Sequence, residues 1–361
     1  MAAGMKGITH TEFVMRNRRI PVLLVLLLLG SAACTEEQPG PPVKPKVGFV
    51  VANKQLNYSQ EMSLGFIAGV DAVGGVSYQV DGPNIVDGPR QVSLFRDMLK
   101  STPAGLSVFT LSPDLFAEPM AEAVGEGMPI IAVDSQPLAA ADVDLFIGND
   151  SYQLGRLLAR EVIEQLPSDA SGKIVIGTSA PGVPVLDHRA KGIRDEITER
   201  LPGVAVFGPF DTKQEVEANL DAWSTLIKVN SSALAFIGTG DADGWNLAEI
   251  RRNSGANWLA GAFDIDSKSL AAVRAGDLIL VSPEHYIKGA VAGRLQAEHA
   301  KTGKALPQGW LYVPGLAVDK SNVDEILARQ ATVATRADAF AARIDQVLTD
   351  PSYLRPISEV R

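Results

Sequence analysis

Short apolar runs of strand length alternate with amphipathic helical patterns along most of this chain. The first run, residues 46–52, precedes a helical stretch over 59–73 in which Met62, Phe66 and Val70 recur at helical spacing. The same pairing repeats up to residue 302. Continuous apolar strands between amphipathic helices predict parallel sheets that are covered on both faces. Two successive runs of the pattern predict an α/β fold with two doubly wound parallel-sheet lobes.

Composition supports a globular protein and argues against a nucleic-acid partner. The 361 residues are 46% hydrophobic and 21% charged, which is enough apolar material for a sizeable core. The formal net charge of −9 repels phosphate groups and leaves no basic surface for DNA or RNA.

The amino terminus predicts export. A basic segment at 16–19 precedes the apolar run 20–29, which is too short to span a bilayer comfortably, and then small residues and Cys34. We expect a signal peptide over 1–33. Residues 31–34 resemble a lipobox, although Ser31 stands where leucine is usual, so ordinary secretory cleavage is the alternative. Cys34 is the single cysteine, and it can form neither an internal disulfide nor a cysteine metal site.

The residues that follow Cys34 are predicted to be a flexible connection. Residues 34–45 contain four prolines, including Pro39 and Pro45, and little that could pack in a core. We interpret them as a lipidated tether that holds the folded body outside the cytoplasmic membrane.

Polar residues follow the predicted strands. In open parallel sheets, ligands bind beyond the carboxyl ends of the strands. The side chains at these positions are therefore the first to consider for a binding site, and they are Asn53, Asp134, Ser179, Thr239, Asp241, Asp264 and Glu284.

An ordered set of short motifs resembles the periplasmic binding proteins of type 1, of the ribose-, galactose- and xylose-binding kind. The motifs run in chain order from about residue 46 to 328 and are VGFVV at 47–51, MPIIAVD at 128–134, IGND at 147–150, RAKG at 189–192, GAFD at 261–264 and VDKSNVD at 318–324. The resemblance implies lobes of residues 46–149 plus 285–314 and 150–284 plus 315–330, joined by a hinge of three crossovers. Residues 331–361 then form a C-terminal extension without an assigned role.

The resemblance also implies which residues bind the ligand. They are Gln55, Tyr58, Asp134, Asp187, Asp241, Asp264 and Glu284, with Trp245 as a further aromatic ring. Each has an alternative structural role: the aspartates can cap helices or turns, Gln55 can be a solvated loop residue, Glu284 a hinge residue, and Tyr58 and Trp245 core.

The residue types favour a ligand rich in hydroxyl groups. Carboxylates accept strong hydrogen bonds from hydroxyls, and aromatic rings cover the C–H face of a sugar. Ser135 and Asp187 stand where pentose-binding relatives often carry arginines, so we expect an acidic pocket. A sugar or polyol is the leading expectation, and an aminated or cationic molecule is the alternative.

The chain lacks clear enzyme motifs. The glycine-rich segment 238–244 is not a Gly-x-Gly-x-x-Gly motif, no Gly-x-Ser-x-Gly elbow occurs, and His188, His285 and His299 lack metal-ligand spacing. We therefore expect no catalysis, no cofactor and no metal, with an ABC transporter permease as partner. The alternatives are a ligand-sensing subunit for a membrane kinase or chemoreceptor and, less favoured, a periplasmic hydrolase.

Overall fold

A computed structural model describes residues 43–360 of the protein. The predicted signal peptide, Cys34 and nearly all of the predicted tether lie outside the described residues. Within residues 43–360, no helix has both the length and the apolar character needed to cross a membrane.

The first lobe begins with three βα units, which two further strands follow. In chain order the elements are β1 (Lys46–Val50), α1 (Asn57–Val73), β2 (Ser77–Asp81), α2 (Gly88–Ser101), β3 (Leu106–Val108), α3 (Pro113–Gly125), β4 (Ile130–Val133) and β5 (Leu145–Gly148). Local sequence sets the helix starts: the Asp87 side chain caps α2 by accepting a hydrogen bond from the Arg90 amide at 2.9 Å.

The chain then enters the second lobe. Its elements are α4 (Ser151–Ile163), β6 (Gly172–Thr178), α5 (Pro184–Arg200), β7 (Val204–Asp211), α6 (Val216–Val229), β8 (Ala235–Gly238), α7 (Asp241–Ser254), β9 (Leu259–Phe263), α8 (Ser267–Ala275) and β10 (Ile279–Ser282). The remaining elements divide between the lobes and are α9 (His285–Thr302), β11 (Gly309–Tyr312), β12 (Leu316–Val318), α10 (Val323–Arg329), α11 (Val333–Thr349) and β13 (Leu354–Arg355).

The strands form two separate sheets. Over residues 43–360, the first sheet has the order β13-β11-β5-β4-β3-β1-β2 and the second β12-β10-β9-β8-β6-β7. Neighbouring strands are parallel except at one edge of each sheet, where β13 runs antiparallel to β11 and β12 antiparallel to β10. The sheets have buried apolar clusters against their helices, such as Val47, Phe66 and Ile131 in the first lobe and Ile174, Leu158 and Ile193 in the second. The predicted fold of two mostly parallel α/β lobes is confirmed.

Three crossovers meet at the hinge, where one side chain links them, and the chain passes between the lobes a fourth time between α10 and α11. Asn149, between β5 and α4, donates from Nδ2 to the carbonyl oxygens of Pro283 at 3.1 Å and Val313 at 2.6 Å. Pro283 lies between β10 and α9, and Val313 between β11 and β12. We propose that the boundaries between the lobes lie at residues 149/150, 284/285 and 314/315, as the sequence predicts.

The innermost helices of both lobes pack through glycine. A Cβ atom at Gly289 on α9 would overlap the carbonyl oxygen of Met62 on α1, and one at Gly192 on α5 would overlap that of Tyr152 on α4. Because no larger side chain fits, the backbones approach closely, and each pair carries its strand-end loops into a fixed position.

The C-terminal extension returns to the first lobe. Its helix α11 inserts Phe340 and Val347 into the apolar cluster of α1 and α9, and the Phe340 ring stacks on Tyr286 at a centroid distance of 5.1 Å. Strand β13 then pairs with β11. We propose that the described part of residues 331–361 belongs to the first lobe.

Candidate ligand-binding site

A pocket of about 630 Å³, which includes part of the open cleft, lies at the carboxyl ends of both sheets. The first lobe lines it with Leu56, Tyr58, Phe109, Leu111, Asp134 and His285. The second lobe lines it with Ser179, Val185, Leu186, Arg189, Gln214, Val216, Gly240, Asp241, Ala242, Trp245 and Asp264. The chain therefore brings polar strand-end residues of both lobes together around one apolar-walled space.

Asp134 forms the floor of the pocket on the side of the first lobe. It follows β4 with a left-handed backbone (φ 64°) and makes an ion pair with Lys288 of α9, whose side chain is fully buried. Burial alone would raise the pKa of Asp134, but the Lys288 ammonium lowers it to about 2. The carboxylate is therefore ionised and held in place.

Asp264 is the equivalent residue in the second lobe, and it contacts the first. It follows β9 with φ 74°, and its Oδ1 lies 2.8 Å from Nε2 of His285, the first residue of α9. Burial and the nearby Lys288 ammonium lower the pKa of His285. A neutral imidazole fits the geometry, with Nε2–H donating to Asp264 and Nδ1 accepting from Lys288 Nζ at 3.2 Å.

Arg189 supplies a buried cation beside Asp264. Its Nη1 donates to the carbonyl oxygen of Thr239 at 3.0 Å and lies 4.0 Å from Oδ2 of Asp264. The guanidinium carbon stands 4.5 Å from the centre of the Phe263 ring. The side chain is only 3% exposed, so these contacts fix a donor group at the pocket wall.

Asp241 is the one pocket carboxylate without a hydrogen-bond donor among residues 43–360. It is the first residue of α7 and is 7% exposed, yet neither of its oxygens has a partner within that range. Burial raises its pKa well above the usual range, and the Asp264, Asp266 and Asp243 carboxylates raise it further. Asp243, by contrast, accepts four hydrogen bonds, from Thr212, Asn219, Trp223 and the Gly240 amide.

Aromatic side chains form the apolar walls. The Tyr58 ring meets Phe109 edge to face at 5.7 Å, and burial followed by the Asp241 charge raises the pKa of the Tyr58 phenol. Trp245 lines the opposite wall, and Lys268 lies 5.6 Å from its ring centre. The indole Nε1 of Trp245 has no partner among the described residues. These rings provide flat apolar faces with polar edges.

Three of the predicted ligand-binding residues lie outside this pocket. Gln55 is exposed in a loop in which its amide donates to the Asn53 side chain at 2.6 Å. Asp187 lies in the first turn of α5, which begins at Pro184, and it accepts a hydrogen bond from the Gly182 amide at 3.4 Å.

Glu284 is the third. It is fully buried at the β10–α9 crossover with φ 55°, and its carboxylate faces the C-terminal helices. Nη2 of Arg329 and Nη1 of Arg343 each lie 2.7 Å from it. The structure gives Glu284 a role at the hinge.

The pocket that we predicted to be acidic also contains cations. Arg189 and His285 line it and Lys288 supports it from behind, so two of its three carboxylates lie beside cations. From the sequence, Arg189 was noted only as part of the motif at 189–192, and His285 was considered only as a metal ligand. The available signal was the spacing of His285 and Lys288, which share one helix face directly after a crossover. No three His, Cys, Asp or Glu side chains of residues 43–360 converge as metal ligands.

Two α/β lobes with a polar pocket at facing strand ends, joined by three crossovers, define the class of two-lobed ligand-binding proteins. Residues 47–305 match the family model described as the periplasmic binding protein domain. The chain belongs to this family, and the resemblance drawn from the sequence motifs is confirmed. Comparison with curated protein sequences gives no match.

Solved structures share the fold. GanP, a glucose–galactose binding protein from Geobacillus stearothermophilus, is 18% identical with a TM-score of 0.70, over 78% of this chain and 99% of GanP. An ABC transporter solute binding protein from Agrobacterium vitis, bound with α-D-tagatopyranose, is 19% identical with a TM-score of 0.72, over 79% and 98%. The XylFII–LytSN complex gives 18% identity and a TM-score of 0.69, over 78% and 99%.

Proposed function

We propose that this protein is an extracytoplasmic solute-binding protein that captures a sugar or polyol between its lobes and delivers it to an ABC importer. The main support is the convergence of Asp134, Asp264 and Arg189 with aromatic walls in one interlobe pocket. Family membership and the sugar-binding proteins among the similar structures support the same class of ligand.

The pocket chemistry suits a molecule with many hydroxyl groups. Asp134 and Asp264 are fixed acceptors, since Lys288 and His285 hold one oxygen of each. Arg189 is a fixed donor, and Tyr58 and Trp245 offer faces for C–H groups. A sugar ring presents both kinds of surface at once.

Capture requires that ligand binding shifts the lobes towards a closed arrangement. Contacts between the lobes at the pocket rim favour this arrangement: Asn57 Nδ2 donates to the carbonyl oxygen of Ile265 at 3.2 Å, and His285 meets Asp264. Both of these contacts are single polar interactions. A ligand that bridges the two lobes would therefore add substantially to the stability of the closed arrangement.

The anchor and the location belong to the same proposal. A lipidated Cys34 with the tether 34–45 would hold the body at the outer face of the cytoplasmic membrane. A sensing subunit for a membrane kinase or chemoreceptor is the second candidate, since a similar fold occurs in the XylFII–LytSN complex. A hydrolase has no specific observation in its favour.

A thermal-shift screen of the purified protein against sugars, polyols, amino sugars, amino acids and nucleosides tests the proposal. A ligand at 100 times its dissociation constant adds about 2.7 kcal/mol of stability. We expect a shift with a sugar or polyol that Asp134→Ala and Asp264→Ala abolish. Asp187→Ala, which changes a carboxylate outside the pocket, is the control. A hit only among amino acids or nucleosides would reject the ligand class.

A further inference from the structure

The three carboxylates that line the pocket differ in what the protein provides for them. Asp134 has Lys288, and Asp264 has His285 with Arg189 nearby. Asp241 is equally buried, but residues 43–360 offer neither of its oxygens a hydrogen bond. Buried charges in proteins are paired or neutralised, so Asp241 is stable as a charged carboxylate only when a ligand supplies the missing partner.

Charge around Asp241 favours a cation over a neutral hydroxyl group. The carboxylates of Asp243, Asp264 and Asp266 all act on it electrostatically. Arg189 is the cation that acts on it most strongly, and that guanidinium already donates to Thr239 and lies beside Asp264. When Asp241 is ionised and His285 is neutral, the pocket together with Lys288 behind it holds three carboxylates and two cations. A hydroxyl group can donate a hydrogen bond to Asp241, but it leaves this excess negative charge uncompensated.

The walls beside Asp241 also accommodate a cation. Trp245 lies four residues further along α7 and lines the same pocket, with Tyr58 on the other side. Aromatic faces attract ammonium groups, most strongly where water is excluded. A carboxylate that shares a pocket with aromatic rings is a binding arrangement for an amine.

We infer that the ligand carries an ammonium group that Asp241 binds, so that the substrate class is an aminated sugar or aminated polyol. This inference rests on the proposed function. The remaining hydroxyl groups of such a ligand would face Asp134, Asp264 and Arg189. Asp241 is thereby the residue that determines specificity for amines over the matching neutral sugars.

Calorimetric titration with matched pairs tests the inference. The pairs are D-glucose and D-glucosamine, D-galactose and D-galactosamine, and D-mannose and D-mannosamine, at neutral pH, where the amines are still largely protonated and the raised pKa of Asp241 opposes its ionisation less than at acidic pH. We expect at least one amine to bind about tenfold or more tightly than its neutral partner, which corresponds to about 1.4 kcal/mol. Asp241→Asn keeps the side-chain shape and should reduce the preference to about one, whereas Asp187→Asn should retain it.

The outcomes separate the two proposals. A neutral sugar that binds as tightly as its amine, or a preference that persists in Asp241→Asn, overturns the inference and leaves the sugar-binding function standing. Failure of every sugar, polyol and amino sugar to bind overturns both. The N-acetylated amino sugars provide a further check, since they keep the nitrogen but lose its charge and should bind like the neutral sugars.

Discussion

The carboxylate of Glu284 accepts a hydrogen bond from Nη1 of Arg343 at 2.7 Å, which ties the C-terminal helix α11 to the crossover between β10 and α9. Arg329, at the end of α10, binds the other oxygen of the same carboxylate, and its guanidinium lies 4.5 Å from the Phe340 ring. One buried acid therefore holds the hinge, the second lobe's last helix and the C-terminal extension together.

Glu284→Gln should destabilise the protein by about 3 kcal/mol, since removal of one partner of a buried ion pair leaves the other charge uncompensated. Either Arg329 or Arg343 would then face an amide NH2 group instead of an acceptor, and both would lose the neutralising charge. Urea unfolding measures the effect as a lower midpoint. The matched control is Asp211→Asn, which breaks the exposed pair with Lys213 and should cost less than about 1 kcal/mol. An equal loss of stability in the two variants would show that Glu284 stabilises the protein no more than an exposed ion pair does.

Gly289→Ala should be strongly destabilising despite the small change. The added methyl group would overlap the carbonyl oxygen of Met62, and helix backbones cannot yield as a flexible side chain can. Overpacking of this kind costs about 1–3 kcal/mol. Gly125→Ala, at the end of α3 with open space around it, is the control and should be neutral or slightly stabilising. Thermal unfolding of both variants gives the comparison.

Most of the fold was predictable because helix and strand patterns are visible in short segments of the sequence. Strand and helix periodicities fixed the order and approximate limits of most elements between residues 46 and 302. Nothing local indicates which sheet a late strand joins, and the short strands β11 and β12 were not predicted as elements. The return of residues 333–355 to the first lobe depends on contacts of Phe340 with Tyr286 and of β13 with β11, which are distant in sequence.

Residues of the candidate site were predictable only where their position at the end of a strand or the start of a helix places them at the pocket. Asp134 and Asp264 follow strands directly, and Asp241 comes three residues after the end of β8, so the sheets place them at the pocket. Tyr58 lies at the start of the first helix, which follows the first strand. The position of Asp187 depends on the residue at which α5 begins. The position of Glu284 depends on the backbone direction of the crossover between β10 and α9. The pairing of Asp134 with Lys288, 154 residues apart, has no sequence signature.

Acid should destabilise the protein through His285. Burial and the Lys288 ammonium lower its pKa, so the unfolded chain binds a proton near pH 6.5 that the folded protein binds only at lower pH. Stability is then lost as pH falls from about 6.5 towards the folded pKa. In His285→Gln, the free energy of unfolding should decline less over this range. Parallel pH profiles of the two proteins would contradict the prediction.

Asp241→Asn should stabilise the ligand-free protein at neutral pH. The carboxylate is buried without a donor, and an unsatisfied buried polar group costs about 1–3 kcal/mol. Because burial and neighbouring acids raise the pKa of Asp241, the folded protein holds the proton more tightly than the unfolded chain. Stability therefore falls as pH rises from about 3.9 through the folded pKa, and the advantage of asparagine grows with pH.

The neighbouring Asp243 provides the matched control for that variant. It accepts four hydrogen bonds, so Asp243→Asn would turn an amide group towards the Gly240 amide donor and should cost about 1–3 kcal/mol. Urea unfolding at mildly acidic and neutral pH measures both variants. If Asp241→Asn raises the free energy of unfolding and Asp243→Asn lowers it, then Asp243 maintains the fold, whereas Asp241 lowers stability and is retained to bind a ligand. If Asp241→Asn destabilises as well, Asp241 has a structural partner, and the argument for a ligand amine loses its basis.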